Sequence, residues 1–513
     1  MENKKYLEFV FLIALGALTS LSLPPYNYLL INFLTISFFF IYIFKKKKLN
    51  VKQHTFLYGW FFGFGYFLTN LYWISISLTF DENFSFLIPF ALILIPSFLG
   101  IFYGLATYIF FKIDLKNSIS SLFLFSLLFG LIEFIRGNIF TGFPWNLIVF
   151  SFSENLEILQ ILSFIGTYGL NMLCISFFAS PAIFILRQNK KEILVCVIFL
   201  LSPIFFFKLG SDNISSFELS KSVKNEYVIR TIGTKINLDR FYGNSDTAEV
   251  INELIKISQP DKNTKTVFLW PEGIIPNVNQ KQLKEFEFLF SEKFNENHLL
   301  AIGINSYEQT DIKNYYYNTL SFYDHKLNLV NEYKKVKLVP FGEFLPFEKI
   351  LKKLGLKSLT NNYQSFSSGD HREILLVDEN NFDLKILPLI CYEIIYSGNI
   401  FTNSDFDYIV NISEDGWFGN SIGPHQHFAH SIFRAIESGK YLLRSANNGI
   451  SAIINPTGKI EKKIEFDQIG YIDFKDKKIF KETVFSKYGN KMFLIIILLY
   501  IFLIFSFNRI HNE

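Results

Sequence analysis

The sequence predicts a protein in two parts: a multi-span α-helical membrane domain and, following it, a layered α/β domain on the outer side of that membrane. Three observations carry the prediction. Long stretches of the first 207 residues lack charge, whereas residues 208–491 are polar and alternate between strand-like and helix-like patterns. Lysine and arginine clusters also fall in the connections expected on one membrane face.

The membrane part is read from length and charge. Half of the 513 residues are hydrophobic and 62 are phenylalanine, a balance that soluble globular chains rarely show. A spanning helix needs about 20 mostly apolar residues; no charge interrupts Phe9 to Phe44, and Pro24-Pro25 divides that run into two spans. Further spans are predicted at 55–79, 86–111, 117–135, 162–186 and 193–207, with a last one at 492–508, eight in all; 137–161 is a candidate re-entrant segment. The expected organisation is a membrane domain over 1–207, a polar domain over 208–491, and a terminal span with a short cytoplasmic tail over 492–513.

Lys4 and Lys5, Lys45 to Lys48, Lys112 and Lys116, and Arg187, Lys190 and Lys191 all lie on one side if the amino terminus is cytoplasmic. The seventh span then exits, which places 208–491 outside. A cleaved signal peptide is the rival reading of the first segment, but a second span follows at once and no clean small-residue cleavage site appears. Lys45 to Lys48 reads as a topology anchor, not a nucleic-acid patch; the net charge of +3 says little about partners, and no nucleic-acid partner is expected. Glu133 and Arg136, at the outer end of span five, read as helix-end charges that snorkel to the interface.

In the polar part, strands are predicted at 227–233, 266–270, 298–304, 317–324, 384–390, 407–412 and 450–455, and helices at 246–258, 280–292 and 424–441. Alternation of the two indicates a layered α/β domain.

Three segments deliver a reactive side chain at the end of an apolar strand. In Val267-Phe268-Leu269-Trp270-Pro271-Glu272-Gly273, proline ends strand pairing and glycine permits a sharp turn, so Glu272 projects from the sheet edge. In Tyr333-Lys334-Lys335-Val336-Lys337-Leu338-Val339-Pro340-Phe341-Gly342-Glu343, a lysine beside an apolar turn is a candidate fixed cation and Glu343 a group to orient it. Spacing alone does not choose among the three lysines. In Ile386-Leu387-Pro388-Leu389-Ile390-Cys391-Tyr392-Glu393, a thiol follows a buried strand. A nucleophilic cysteine needs a base or a cation nearby, and the other two segments supply both. Cys174 and Cys196 lie in apolar runs and read as packing residues, and three cysteines provide no disulfide framework. His425, His427 and His430 crowd the start of one helix and would not converge on a metal, so no metal or cofactor is expected.

Trp-Pro-Glu, Tyr-x-Lys-x-x-Leu-Val-Pro-Phe-Gly-Glu and Ile-Cys-Tyr-Glu, in this order, resemble the nitrilase (carbon–nitrogen hydrolase) superfamily's Glu–Lys–Cys triad. With seven spans before that domain and one after it, the whole chain resembles the apolipoprotein N-acyltransferase family. Further matches are Gly142-Phe143-Pro144-Trp145-Asn146, Trp417-Phe418-Gly419, Gly423-Pro424-His425-Gln426-His427 and the run from Leu443 to Ser451. The resemblance implies an α-β-β-α sandwich facing the periplasm, with Glu272 as general base, Lys335 as the catalytic lysine and Cys391 as nucleophile. It assigns supporting roles to Glu343, Tyr392 and Glu393. Two motifs depart from the usual pattern. Thr234 to Phe241 replaces Asn-x-x-Gln-x-x-Lys-Trp, so that Phe241 stands for a tryptophan, and Ser413-Glu414-Asp415-Gly416 replaces Ser-Asn-Asp-Ala. Phe241 and Trp417 are the candidate substrate contacts, and the loop 354–372, with Phe366 and Gly369, is expected to shape the entrance.

The implied reaction is two-step acyl transfer from a membrane phospholipid, through a thioester on Cys391, to the N-terminal amine of a diacylated apolipoprotein at the bacterial inner membrane. A membrane-anchored amidase would share the triad but release its acyl group to water. A non-enzymatic lipoprotein-binding protein would not need the triad intact.

Overall fold

The computed structural model describes residues 2–115, 117–187, 190–243, 245–311, 314–351, 353, 365–380, 382–398 and 405–510. Eight helices carry the apolar runs: α1 (Glu2–Thr19), α2 (Ile31–Lys48), α3 (Thr55–Leu71), α4 (Ile88–Lys112), α5 (Ser118–Asn138), α6 (Leu162–Ala179), α7 (Lys190–Glu218) and the terminal α10 (Lys491–Ile510). Among the described residues, six segments are long and apolar enough to cross a membrane, in α1, α4 with the turn before it, α5, α6, α7 and α10. The other two are shorter or more charged: α3 has 17 residues and α2 ends in four lysines. Both still belong to the bundle, with Phe39 of α2 stacked on Phe62 of α3 at 4.1 Å.

Helices α5 and α6 are mostly buried and form the centre of the bundle, whereas α4, α7 and α10 turn apolar faces outward. Phe90, Leu94, Leu201, Phe205, Leu498 and Phe505 are exposed on those faces. So much outward apolar surface on long helices fits a lipid solvent, in which each helix satisfies its own backbone. Helix α7 runs unbroken through residue 207 to Glu218, and strand β1 begins at Ser222.

Residues 139–161 form no long helix; they hold two short turns, Ile148–Phe152 and Leu156–Leu159, packed into the bundle. Glu133 and Arg136 do not snorkel. Each is 2% exposed, Arg136 Nε donates to Glu133 Oε2 at 2.6 Å, and Tyr103 Oη donates to Glu133 Oε1 at 2.5 Å. The arginine also donates to the Phe143 carbonyl. An i,i+3 pair facing the bundle interior finds partners there, which is the alternative to reaching for the interface.

The polar domain contains two six-stranded sheets. The first has the order β12-β1-β2-β3-β4-β5 and the second β11-β10-β9-β8-β7-β6. The strands are β1 (Ser222–Gly233), β2 (Thr266–Leu269), β3 (His298–Gln309), β4 (Asn314–Tyr323), β5 (Leu329–Lys334), β6 (Leu375–Glu379), β7 (Phe382–Ile390), β8 (Tyr408–Glu414), β9 (Tyr441–Asn447), β10 (Ser451–Ile454), β11 (Ile460–Ile464) and β12 (Gly470–Lys478). The seven predicted strands are all present, and β5, β6, β9, β11 and β12 add to them. Several of the additions carry charged residues at alternate positions, and pairing with a neighbour, not hydrophobicity, makes them strands.

Strand alternation builds the layers. In β8, Tyr408, Val410 and Ile412 face the other sheet, where they meet Val267, Leu269 and Leu299, while Ile409 faces the opposite way. Helix α8 (Thr247–Ser258) covers the outer face of the first sheet with Ile251 and Leu254. Helix α9 (Gly423–Ser438) covers the second with Phe433 and Ile436, in one continuous apolar cluster with the membrane helices. The result is an α-β-β-α sandwich whose second helical layer sits on the bundle. Polar contacts fix that docking. Glu437 of α9 accepts from the backbone N–H and hydroxyl of Thr167 in α6, at 2.8 and 2.6 Å.

Candidate active site

Each of the three reactive side chains leaves the end of a strand. After β2, the Trp270 N–H still bonds the Ala301 carbonyl at 2.8 Å; Pro271 then ends the ladder and the chain turns at Glu272. Neighbouring β3 admits this turn only because residue 303 is glycine, since a Cβ there would lie 2.2 Å from the Pro271 carbonyl oxygen. Lys335 follows β5, its N–H bonded to the Asn318 carbonyl and its own carbonyl accepting from Gly369, at 2.9 and 2.8 Å. Cys391 follows β7 with φ of 48° and opens a single helical turn, Cys391–Ile395. A non-glycine residue in that region is uncommon and marks a constrained turn.

Lys335, 1% exposed, lies between two carboxylates: Nζ is 3.0 Å from Glu272 Oε1 and 2.9 Å from Glu343 Oε1. Asn318 donates from Nδ2 to the same two oxygens, at 2.6 and 2.9 Å. The second oxygens are held by main chain, Glu272 Oε2 by the Glu414 N–H at 2.9 Å and Glu343 Oε2 by the Val339 N–H at 2.8 Å. Both carboxylates therefore have fixed orientations.

Charge then decides the resting state. Burial acts to lower the Lys335 ammonium, but Glu272 and Glu343 outweigh it and hold the group well above the usual lysine range. Burial and the Glu272 charge push the Cys391 thiol well up, against the opposing pull of Lys335. The Glu272 charge that helps hold the ammonium thus opposes ionisation of the thiol.

The supporting residues take distinct places. Glu393, fully buried, accepts from the N–H groups of Ile390, Val336 and Lys337 at 2.9, 3.0 and 3.0 Å, and from Tyr333 Oη and Arg372 Nη2 at 2.9 and 2.8 Å. It thereby ties the cysteine turn to the lysine turn. Tyr392 points away from the triad, its hydroxyl donating to the Gly142 carbonyl of the membrane domain at 2.8 Å. Phe241 and Trp417 stack with ring centres 5.4 Å apart, and Phe80 meets Trp417 edge-on at 5.9 Å. Of the loop 354–372, residues 354–364 lie outside the described residues. Phe366 and Gly369 are described and brace the lysine arm: the Phe366 N–H bonds the Glu343 carbonyl at 2.8 Å.

The three histidines diverge. His427 contacts Asp415 through Nδ1 at 2.8 Å and the Cys391 carbonyl through Nε2 at 3.2 Å, His430 packs on Phe150, and His425 faces Phe466. Asp415 also binds Arg444 and Ser413, and this company holds its carboxyl well below the usual range despite burial.

Asn318, Arg372 and the buried Arg240–Glu414 ion pair escape notice in the sequence. Asn318 had one available signal, an amide inside a strand of aromatic and apolar residues, where asparagine is depleted. The arginines had none, because their partners are distant in sequence.

Two family models match the chain: the apolipoprotein N-acyltransferase N-terminal domain over residues 15–180 and carbon-nitrogen hydrolase over residues 241–473. An apolipoprotein N-acyltransferase of Rickettsia prowazekii is 32% identical over 99% of this chain and 100% of its own length. The chain belongs to the apolipoprotein N-acyltransferase family. Another relative of that name, from Rickettsia bellii, is 33% identical over 98% of this chain and 97% of its own. A third, from Brucella melitensis, is 31% identical over 81% of this chain and 78% of its own. As an apolipoprotein N-acyltransferase family member the chain is an acyltransferase, with a nitrilase-type domain joined to a helical membrane domain.

Proposed function

We propose that this chain moves a fatty acyl group from a membrane phospholipid to the N-terminal amine of S-diacylglyceryl-cysteine in apolipoproteins, through a thioester on Cys391. The observation that carries the reading is the fixed Glu272–Lys335–Glu343 group beside the buried Cys391 thiol, whose ionisation burial and Glu272 oppose. Glu272 takes the Cys391 proton as sulfur attacks the ester carbonyl. Lys335 faces the developing oxyanion, and one such donor contributes about 3 kcal/mol to the transition state. As the tetrahedral intermediate collapses, Glu272 gives that proton to the departing alkoxide, which releases a lysophospholipid and leaves the acyl thioester. The acceptor amine then attacks the thioester, Glu272 removes its proton, and the thiol reforms.

The membrane bundle supports a lipid donor and a lipid-anchored acceptor. Extracting an acyl chain into water costs about 0.8 kcal/mol per CH₂, and a triad docked on the bundle avoids that cost. Phe241 and Trp417 are proposed to line the acyl path. The proposed topology has eight spans, with α2 and α3 among them, a cytoplasmic amino terminus and the nitrilase-type domain on the periplasmic side of the inner membrane.

Mass spectrometry of Cys391 after incubation with phospholipid tests the reading. The expected result is an acyl adduct discharged by a diacylated lipopeptide but only slowly by water. Rapid loss to water would favour a membrane-anchored amidase, and equal activity in Cys391→Ala would overturn the scheme.

A further inference from the structure

The two departures from the family motifs meet in one place. Arg240 stands where the common pattern has lysine, and Glu414 where it has asparagine; here the two side chains are almost fully buried and form an ion pair. Glu414 presents two different groups to its surroundings. Its backbone N–H donates to Glu272 Oε2 at 2.9 Å. Its carboxylate folds back over its own turn, accepting from the Gly416 N–H at 2.8 Å and from Asn447 Nδ2 at 2.7 Å besides Arg240. Arg240 in turn donates from Nε to the Gly273 carbonyl at 3.2 Å, and from Nη1 to the carbonyls of Ile236 and Asn237 at 3.2 and 3.0 Å. Its guanidinium lies 4.3 Å from the centre of the Phe241 ring.

The Glu414 backbone N–H holds the Glu272 carboxylate and Arg240 holds the Gly273 peptide, so the ion pair joins the two holds on this turn, and it lies against Phe241 as well. Gly416 belongs to the same arrangement. A Cβ at residue 416 would lie 2.6 Å from Glu414 Oε1, so the alanine of the common motif would push this carboxylate from its present place. Arg240, Glu414 and Gly416 thus form one contact group.

We propose that Arg240 and Glu414 act as positioning residues that orient the general base Glu272 and the Phe241 ring, with Gly416 making room for them. The inference rests on the proposed role of Glu272. A buried ion pair is a weak way to add stability, because desolvation offsets much of the attraction. Its contacts here fall on the turn that carries the base, where a displacement of about 1 Å can cost 10²-fold in rate.

The test uses the full-length protein in detergent with two readouts on Cys391, resolved by peptide mass spectrometry: alkylation by iodoacetamide, which needs no lipid, and acylation by phosphatidylethanolamine in mixed micelles. R240K keeps the cation but loses the fork; E414Q keeps the shape and the backbone N–H but loses the charge. Each is expected to slow acylation by about tenfold and to shift the pH profile of alkylation, because the Glu272 charge that raises the thiol is displaced, while the lipid concentration for half-saturation moves less than about twofold. The R240K/E414Q double variant is expected to be no slower than the worse single, because the two residues act as one unit. G416A is expected to be slow alone and faster when combined with E414N, which withdraws the crowding oxygen. Rates within about twofold of the unmodified protein for R240K or E414Q, or additive losses in the double variant, would overturn the proposal. If the unmodified protein takes no acyl group from the lipid while the alkylation differences persist, the transfer reading fails and the positioning role stands.

Discussion

The Tyr392 hydroxyl donates to the Gly142 carbonyl at 2.8 Å, so the residue directly after Cys391 is anchored in the membrane domain. Tyr396 reaches the same loop, through the Thr141 carbonyl at 2.8 Å. That loop is held from below by Arg136, which bonds the Phe143 carbonyl and pairs with Glu133. The turn that carries Cys391 is therefore built against the bundle.

Tyr392→Phe removes one hydrogen bond and leaves the Gly142 carbonyl without that donor. The carbonyl keeps the Tyr396 hydroxyl at 3.2 Å, so the expected cost is about 0.5–1.5 kcal/mol in stability, read as a lower melting temperature in detergent. Acyl transfer should fall as well, because the nucleophile's turn loses its fixed seat.

Glu393→Ala should be more damaging. It leaves the buried Arg372 guanidinium and the N–H groups of Ile390, Val336 and Lys337 without their shared acceptor. Loss of one partner of a buried pair costs about 3–5 kcal/mol. Thermal or urea unfolding of the solubilised protein checks this, and a loss below about 1 kcal/mol would contradict the hub role.

The Cys391 thiol is raised by burial and by Glu272. Its alkylation by iodoacetamide should stay slow through neutral pH and rise only above the ordinary thiol range, since thiolate forms only as pH passes the raised value. Glu272→Gln removes the neighbouring negative charge, so the thiol is lowered and the alkylation curve shifts to lower pH. Acyl transfer should collapse in the same variant because the base is gone. A curve that moved to higher pH would contradict the assigned electrostatics.

Lys335→Met removes the cation between Glu272 and Glu343. Formation of the acyl adduct should fall by about 10²–10³-fold, the scale of losing an oxyanion donor. The two carboxylates are then left adjacent, and one of them should take up a proton. Single-turnover acylation followed by mass spectrometry measures the rate. Retention within tenfold would remove Lys335 from the mechanism.

The sequence alone was enough to identify the two-part architecture and to single out three strand-end motifs, with Cys391 as the proposed reactive thiol. Those features are local: a charge-free run, a proline after a strand, a thiol at a polar boundary. Resemblance then selected Lys335, which spacing had left among three lysines. Tertiary structure decided what depends on distant partners. Strands such as β11, with Ile460-Glu461-Lys462-Lys463-Ile464, form because β10 lies alongside. Glu133 and Arg136 are buried because the bundle surrounds them, although their place near a helix end suggested otherwise. Asn318 joins the site because β4 runs beside the Lys335 arm, and Arg240 meets Glu414 across 174 residues of chain. A hydrophobic period or a turn residue acts through its neighbours in sequence. A buried charge acts through whatever the fold brings against it.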